Sequence, residues 1–291
     1  MGRLSEGNRG AATLVPPWRA LCLGVFFAAA QLVALGIFAS AAAQPSAARP
    51  AAGTMAAIAA RSELRVCIWP EYFAISYRNP RNGELEGIDI DLARALAARL
   101  RVALAFVETN FRDFMDRIED GSCDIAMMGV GVTPARAARI GFSKPYLASA
   151  VYAVTTRTNS RIGRWADIDT PGTVVAVAAG TVMEPLMRDT LRRAQLMVVA
   201  PPRTREGEIM SGRADVFMSD YPYTRRMMLM HDWARVIDPP ARFGETLYAF
   251  GLPRGDATWT AEVNTFLERM RSDGTLARAA QRHGLTPILL P

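Results

Sequence analysis

Residues 121–146 read GSCDIAMMGVGVTPARAARIGFSKPY, and the order of signals in this stretch decides the fold class. A glycine closes one segment, an aspartate opens the next, and an apolar run predicts a buried strand over residues 123–128. Thr133 is a good helix N-cap and Pro134 suits the first helical position. The segment therefore reads strand, turn, helix. Arg136 falls in the first turn of that helix, where the backbone dipole presents partial positive charge. An arginine is mildly unfavourable there unless something negative docks on it.

Outward from this stretch, strand and helix signals alternate, which predicts an α/β protein with parallel sheets. Strands are expected at 64–68 and 102–107. Between them lies the helical run GIDIDLARALAARL, with Leu92, Leu96 and Leu100 on one face. Asp89 and Asp91 open that helix. Capping and dipole complement account for the pair better than a metal site, because no further ligands cluster nearby. A second helix is expected over 111–118, with Phe111, Phe114, Met115 and Ile118 turned inward. Residues 151–156 read as a strand leaving one lobe. Further strands are expected at 173–178, 196–200, 215–218 and 247–252. In GTVMEPLMRDTL, Thr181 and Glu184 have the spacing of a capping box. The segment from residue 257 onward is helical, with a break at Gly274.

One internal echo stands out. GSCDIAMMG (121–129) and GRADVFMSD (212–220) share the pattern G-x-x-D-apolar-apolar-M. In both, a helix ends in glycine and an aspartate starts a buried strand, as in a repeated unit. The alignment puts Gly129 and Asp220 at equivalent places, the C-terminal ends of parallel strands, outside which open α/β sheets bind ligands.

The N-terminus reads as a targeting segment. Arg3, Arg9 and Arg19 flank a polar start, residues 21–38 are nearly all apolar, and small residues follow at Ala41 and Ala43. This order predicts a secretory signal over residues 1–43, cleaved after Ala43, and an export route to the periplasm. The alternative is an uncleaved membrane anchor, for which the apolar run is barely long enough. Residues 44–62 are Ala/Pro-rich and read as a flexible leader. Removing three arginines and one glutamate with the signal lowers the net charge from +6 to about +4. That charge is spread out with no Lys/Arg run, which excludes a nucleic-acid footprint. Two cysteines remain beyond the signal, Cys67 and Cys123. Placed on adjacent parallel strands, they would be offset by about three residues, roughly 10 Å. A bridge needs Cα atoms within about 7 Å, so two free buried thiols are expected.

The runs LRVCIWPEYFAISYRNPRNGELEGIDIDLARALAARL, GSCDIAMMGVGVTPARAARIGFSKPY, VAAGTVME, ADVFMSDYP, GLPRGD and DGTLARAAQRHG occur in an order and spacing that resembles bacterial solute-binding proteins of family 3. These are the periplasmic receptors of polar amino-acid ABC transporters. The resemblance covers nearly all of the chain beyond the leader. It implies a two-lobed, type II periplasmic-binding-protein-like α/β fold, closing over a ligand about a hinge of two crossing strands. Lobe 1 would comprise residues 63–151 and 246–291, and lobe 2 residues 152–245.

The family motif T-x-x-R grips the ligand α-carboxylate through its arginine, here Arg136, whose planar fork of donors matches a carboxylate. By the same resemblance, the Gly180–Thr181–Val182 turn approaches that carboxylate through its backbone. Asp220 takes the α-ammonium. Tyr72 and Phe111 wall the pocket, although Phe111 also suits ordinary core packing. Two departures bear on specificity. Trp69 stands where several members that bind basic amino acids have an acid. Gly131 stands where the family often has a hydroxyl residue, leaving Gly129 and Gly131 only backbone groups. A cationic ligand side chain is therefore disfavoured.

The function implied is a non-enzymatic receptor that passes an amino acid or related carboxylate to an inner-membrane permease, as a monomer without cofactor or metal. No catalytic triad, metal cluster or phosphate loop competes with it, and His231 and His283 read as surface residues. The resemblance leaves two alternatives. One is a cyclohexadienyl-dehydratase-like enzyme, with Glu184 or Asp220 as general acid. It would need a further cationic group for a second substrate carboxylate, and no such group is evident in the sequence. The other is an accessory protein of a quinoprotein dehydrogenase.

Overall fold

The computed structural model describes residues 53–291. The expected signal, its cleavage point and residues 44–52 of the leader lie outside the described residues.

The described chain starts with helix α1 (Gly53–Arg61). This corrects the expectation of a flexible leader through residue 62. Thr54 and Ile58 are buried, and the Thr54 N–H and hydroxyl both donate to Asp256 Oδ2, at 2.8 and 2.7 Å. β1 (Glu63–Ile68) follows, then a two-stranded ribbon of β2 (Tyr77–Arg78) and β3 (Leu85–Glu86). Helix α2 (Ile88–Leu100) leads to β4 (Ala103–Glu108), and α3 (Phe114–Glu119) leads to β5 (Ile125–Gly131). The short α4 (Pro134–Ala137), β6 (Gly141–Phe142) and β7 (Leu147–Ser149) complete the outward path.

Two residues on, the chain enters a second sheet as β8 (Val151–Thr156). That sheet is built by β9 (Val174–Ala178), α5 (Met183–Thr190), β10 (Gln195–Val199), α6 (Arg205–Met210), β11 (Val216–Asp220), α7 (Tyr221–Met230) and β12 (Ala234–Ile237). β13 (Thr246–Leu252) returns to the first sheet, and α8 (Ala257–Ser272) and α9 (Thr275–Arg282) follow. Gly274, at φ 75°, makes the break between those two helices.

The two sheets have one plan. The first has the order β4-β1-β5-β13-β6 and the second β10-β9-β11-β8-β12. In each, the first three strands are parallel and the fourth runs antiparallel. The crossings between sheets run side by side. Ser149 pairs with Thr246, and the Val151 N–H donates to the Phe243 carbonyl at 2.9 Å.

The internal echo is a structural repeat. Helices α3 and α6 each have six residues. Each is followed by a left-handed glycine, Gly121 at φ 78° and Gly212 at φ 70°. Asp124 then accepts the Arg65 N–H at 2.9 Å, and its own N–H donates to the Arg65 carbonyl at 2.9 Å. Asp215 does the same with Val174, at 2.8 and 2.9 Å. Each aspartate locks its strand onto the neighbouring one, so its place at the strand start reflects a backbone requirement.

Several local expectations are corrected. Cys67 and Cys123 form a disulfide, with Cα atoms 5.6 Å apart. Cys123 is not the first residue of a strand, because β5 starts at Ile125. Its N–H is held by the Arg117 carbonyl in the turn leaving α3, so an offset measured within the sheet plane does not apply. Phe111 lies in a turn ahead of α3, which starts at Phe114.

Asp89 and Asp91 do not cap α2, whose N-cap is Gly87. Asp89 is wholly buried and accepts the Gly129 N–H at 2.8 Å and the Tyr146 hydroxyl at 2.5 Å. Burial pushes its carboxyl up to about 7, against the pull of both hydrogen bonds. Asp91 is held below the usual range by His283, 2.7 Å away, despite the opposing effect of burial. His283 is thus a partly buried partner of α2 rather than a surface residue. The Thr181/Glu184 capping box does not form: the Thr181 hydroxyl donates to the Ala178 carbonyl, and Glu184 accepts the Gly180 N–H at 3.0 Å.

Candidate functional site

The C-terminal ends of the parallel strands from both sheets face one cavity. From the first sheet, Trp69 and Tyr72 follow β1, Phe111 follows β4, and Gly129 and Gly131 belong to β5. Arg136 comes from α4. From the second sheet, Thr181 and Val182 follow β9, and Asp220 ends β11. All nine residues singled out in the sequence line this one cavity, although Phe111 reaches it from a turn instead of a helix.

Arg136 is 6% exposed. The Thr133 hydroxyl accepts the Arg136 N–H at 3.2 Å, as the T-P-A-R pattern predicts. Its guanidinium donates from Nη1 to the Gly131 carbonyl and from Nη2 to the Gly180 carbonyl, each at 2.9 Å. The second bond crosses from one sheet to the other. Phe111 and Phe114 flank the cation, with ring centroids 5.4 and 5.5 Å away. Burial pushes the guanidinium down to about 10, which leaves it cationic at neutral pH. Arg139, one turn on, is exposed and pairs with Asp116 and Glu119.

Close approach explains the glycines. A Cβ on Gly131 would meet Val182 Cγ1 of the other sheet at 2.8 Å and Thr246 Cγ2 at 2.9 Å. Gly180, at φ 76°, lies against the Phe111 carbonyl, which a Cβ would meet at 2.8 Å. Its N–H is taken by Glu184, so its carbonyl is the group it presents to Arg136.

Asp220 is the other pole. It caps α7 by accepting the Tyr223 N–H at 3.3 Å on Oδ1. Its Oδ2 accepts the Tyr248 hydroxyl at 2.6 Å and the Tyr72 hydroxyl. Both tyrosines belong to the first sheet, so the carboxylate ties the two sheets together. Burial, reinforced by the Asp220 charge, pushes both phenols well above their ordinary range, and they remain donors. A carboxylate offers about four acceptor positions, so three bonds leave one on Oδ1.

The sequence reading missed Tyr248, Tyr223, Ser219 and, most consequentially, Arg205. Arg205 is 5% exposed and lines the same cavity. Its Nη1 donates to the Met218 carbonyl at 2.9 Å and the Ser219 hydroxyl at 3.2 Å. Its guanidinium lies over the Tyr223 and Phe217 rings, at 4.2 and 5.1 Å. A signal for it was present in the echo. Carried back to the preceding helix, the 91-residue spacing puts Arg205 opposite Phe114, which is fully buried. A charged residue at a core position of a repeat is a functional signal.

Two mixed sheets of one plan, two strand crossings and a cleft with opposed cationic and anionic poles define a type II periplasmic-binding-protein architecture. The chain belongs to the bacterial extracellular solute-binding proteins, family 3, whose family model matches residues 64–286. It is 30% identical over 223 residues to a cyclohexadienyl dehydratase of Pseudomonas aeruginosa, covering 76% of this chain and 82% of that protein. It is 23% identical over 234 residues to the L-cystine-binding protein TcyJ of Escherichia coli, covering 79% of this chain and 85% of that one. Among solved structures, it resembles an ancestral amino acid-binding protein described as a precursor of cyclohexadienyl dehydratase. That likeness has a TM-score of 0.70 at 29% identity, over 79% of this chain and 99% of the other. A likeness in fold alone is to Tv2483 bound to L-arginine, with a TM-score of 0.73 at 20% identity, over 81% and 96% of the two chains.

Proposed function

We propose that this protein is the substrate-binding component of an ABC importer. It is exported to the periplasm, captures a small amino acid or related carboxylate between two lobes, and delivers it to an inner-membrane permease. Lobe 1 comprises residues 63–151 and 246–291, and lobe 2 residues 152–245, closing about the paired crossings. The observation that carries this reading is Arg136. It is a buried guanidinium at a helix start, bonded to carbonyls of both sheets and, among the described residues, to no carboxylate. A ligand carboxylate would receive its charge-assisted donors, and the open acceptor position of Asp220 would receive an ammonium. Thr181, Val182, Trp69 and the rings of Tyr72 and Phe111 would enclose the rest. With Arg136 and Arg205 both facing the cavity, a cationic ligand side chain is disfavoured. The disulfide fits an oxidising compartment. Among the described residues, no helix is long and apolar enough to cross a membrane.

The test is a thermal-shift panel on refolded protein with amino acids, dicarboxylates and prephenate. A ligand at about 100 times its Kd should add about 2.7 kcal/mol to stability. That gain should disappear in Arg136→Ala and Asp220→Ala. Silence across the panel with folded protein would overturn the receptor reading.

A dehydratase reading is the second one that a specific observation favours. Arg205 supplies the further cation that a second substrate carboxylate needs, and a dehydratase is among the relatives. Of the two candidate acids, Glu184 does not line the cavity and is engaged with the Gly180 N–H and Arg188, while Asp220 lines it and accepts three hydrogen bonds. Consumption of prephenate, followed by absorbance, would establish this reading. Binding of prephenate without turnover would exclude it.

A further inference from the structure

We propose that Arg205 determines the specificity of the cleft by receiving a second carboxylate, so that the site selects dicarboxylates, acidic α-amino acids foremost, over neutral amino acids. This deepens the receptor reading above and rests on it.

The argument starts from charge in a confined space. A guanidinium removed from water is costly unless an anion or a full set of acceptors meets it. Arg205 has neither. Among the described residues its polar partners are the Met218 carbonyl and the Ser219 hydroxyl, both on Nη1. The Tyr223 and Phe217 faces give it quadrupole attraction but no hydrogen-bond acceptor. The neighbouring carboxylates are otherwise engaged. Glu206 accepts the Tyr223 hydroxyl, and Glu208 is held by Arg203 and Arg213. Arg205 lines the cavity that Arg136 also lines.

Counting charges around the cavity then selects a ligand. Arg136 and Arg205 are cationic and Asp220 is an anion, so the walls carry a net +1. A zwitterionic neutral amino acid leaves that charge unmatched. An amino acid with a second carboxylate carries −1 and matches every pole: one carboxylate to Arg136, one to Arg205 and the ammonium to Asp220. The Ser219 hydroxyl, 2% exposed and already oriented by Arg205, adds a donor beside the second carboxylate. The repeat makes the same point independently. The sister unit fills this position with the buried Phe114, so an apolar side chain satisfies the packing and the guanidinium serves something else.

The experiment is isothermal titration of refolded protein with L-aspartate, L-glutamate and L-2-aminoadipate, a series of increasing reach. The amides L-asparagine and L-glutamine are titrated beside them, as is glutarate. The expected result is that at least one dicarboxylate binds roughly 100-fold more tightly than its amide or monoacid counterpart. Arg205→Gln should remove that difference by weakening the acid far more than the amide, and Arg205→Lys should restore part of it. Amides binding as tightly as acids in the unaltered protein would overturn the role of Arg205 and leave the receptor reading standing. No binding by any member of this panel would also overturn the role of Arg205, and the receptor reading would then stand or fall on the wider thermal-shift panel. The comparison within the unaltered protein decides the matter even if the variants do not fold.

Discussion

Arg136 and Arg205 reach the same cavity by different routes, and only one of them sits in a local motif. Arg136 sits inside a motif in which a threonine cap, a proline and an arginine have fixed places, so its position at a helix start follows from spacing alone. Arg205 also opens a short helix after a threonine cap, Thr204, which accepts the Gly207 N–H at 3.1 Å. Nothing in its immediate neighbours says that its side chain turns inward, and only its equivalence with Phe114 does. Truncating a desolvated charge that holds a ligand anion costs about 2–5 kcal/mol. Arg136→Ala is therefore expected to weaken ligand binding by roughly 30- to 5,000-fold, read by titration calorimetry, with circular dichroism unchanged. A second residue-level prediction concerns Asp89. Its folded-state carboxyl titrates at about 7, above the ordinary value of 3.8. The folded protein therefore holds the proton more tightly than the unfolded chain, and this group's contribution is greatest below about pH 4. It is lost as pH rises through 7. Asp89→Asn should remove that slope. Denaturant midpoints measured from pH 4 to 8 should show the unaltered protein losing a few kcal/mol relative to the variant. Parallel curves would refute the assignment.

At the scale of elements, the echo between residues 121–129 and 212–220 proved to be two copies of one helix–glycine–strand unit, each locked by its aspartate. That was readable because the constraint is local: a left-handed glycine and a carboxylate that accepts a strand N–H. The disulfide was not readable, because it depends on where the turn after α3 lies above the sheet. The capping roles expected of Asp89 and Thr181 failed for a related reason. Both side chains had partners beyond their own helix or turn start, Gly129 and Tyr146 for one and Ala178 for the other, and those partners took precedence. The Cys67–Cys123 bridge closes a separation of 56 residues, for which chain entropy suggests about 4 kcal/mol. Replacing both cysteines by serine should lower the unfolding free energy by about that much in chemical denaturation. Reductant should destabilise the unaltered protein and leave the double variant unaffected.

At the scale of the whole molecule, the contacts that cross the cleft at the site are Arg136 to Gly180, and Tyr72 and Tyr248 to Asp220, while Arg225 joins the His283 and Gly284 carbonyls away from it. A ligand that binds at the site acts on the first group of these contacts. Gly131 tests this coupling, because a methyl group there would strike Val182 across the cleft. Gly131→Ala is expected to lower ligand affinity about tenfold and to increase the radius of gyration of the liganded protein in small-angle scattering. Adding Val182→Ala should reverse part of both effects. An unchanged affinity in the single variant would show that the sheets need not approach this closely for binding.

The order of strands and helices and the repeated unit were determined by the sequence itself, through periodicity, caps and glycine geometry acting over a few residues at a time. The nine positions that line the cavity were implied by the resemblance to a known family. The charge balance of the cleft was decided only by the tertiary structure. Whether Arg205 faces solvent or the cavity, whether Asp220 meets tyrosines from the other sheet, and whether Cys123 reaches Cys67 all depend on how two separately built sheets are set against each other. Those contacts join residues as far apart as 148 positions. At that separation, local spacing carries no information about distance.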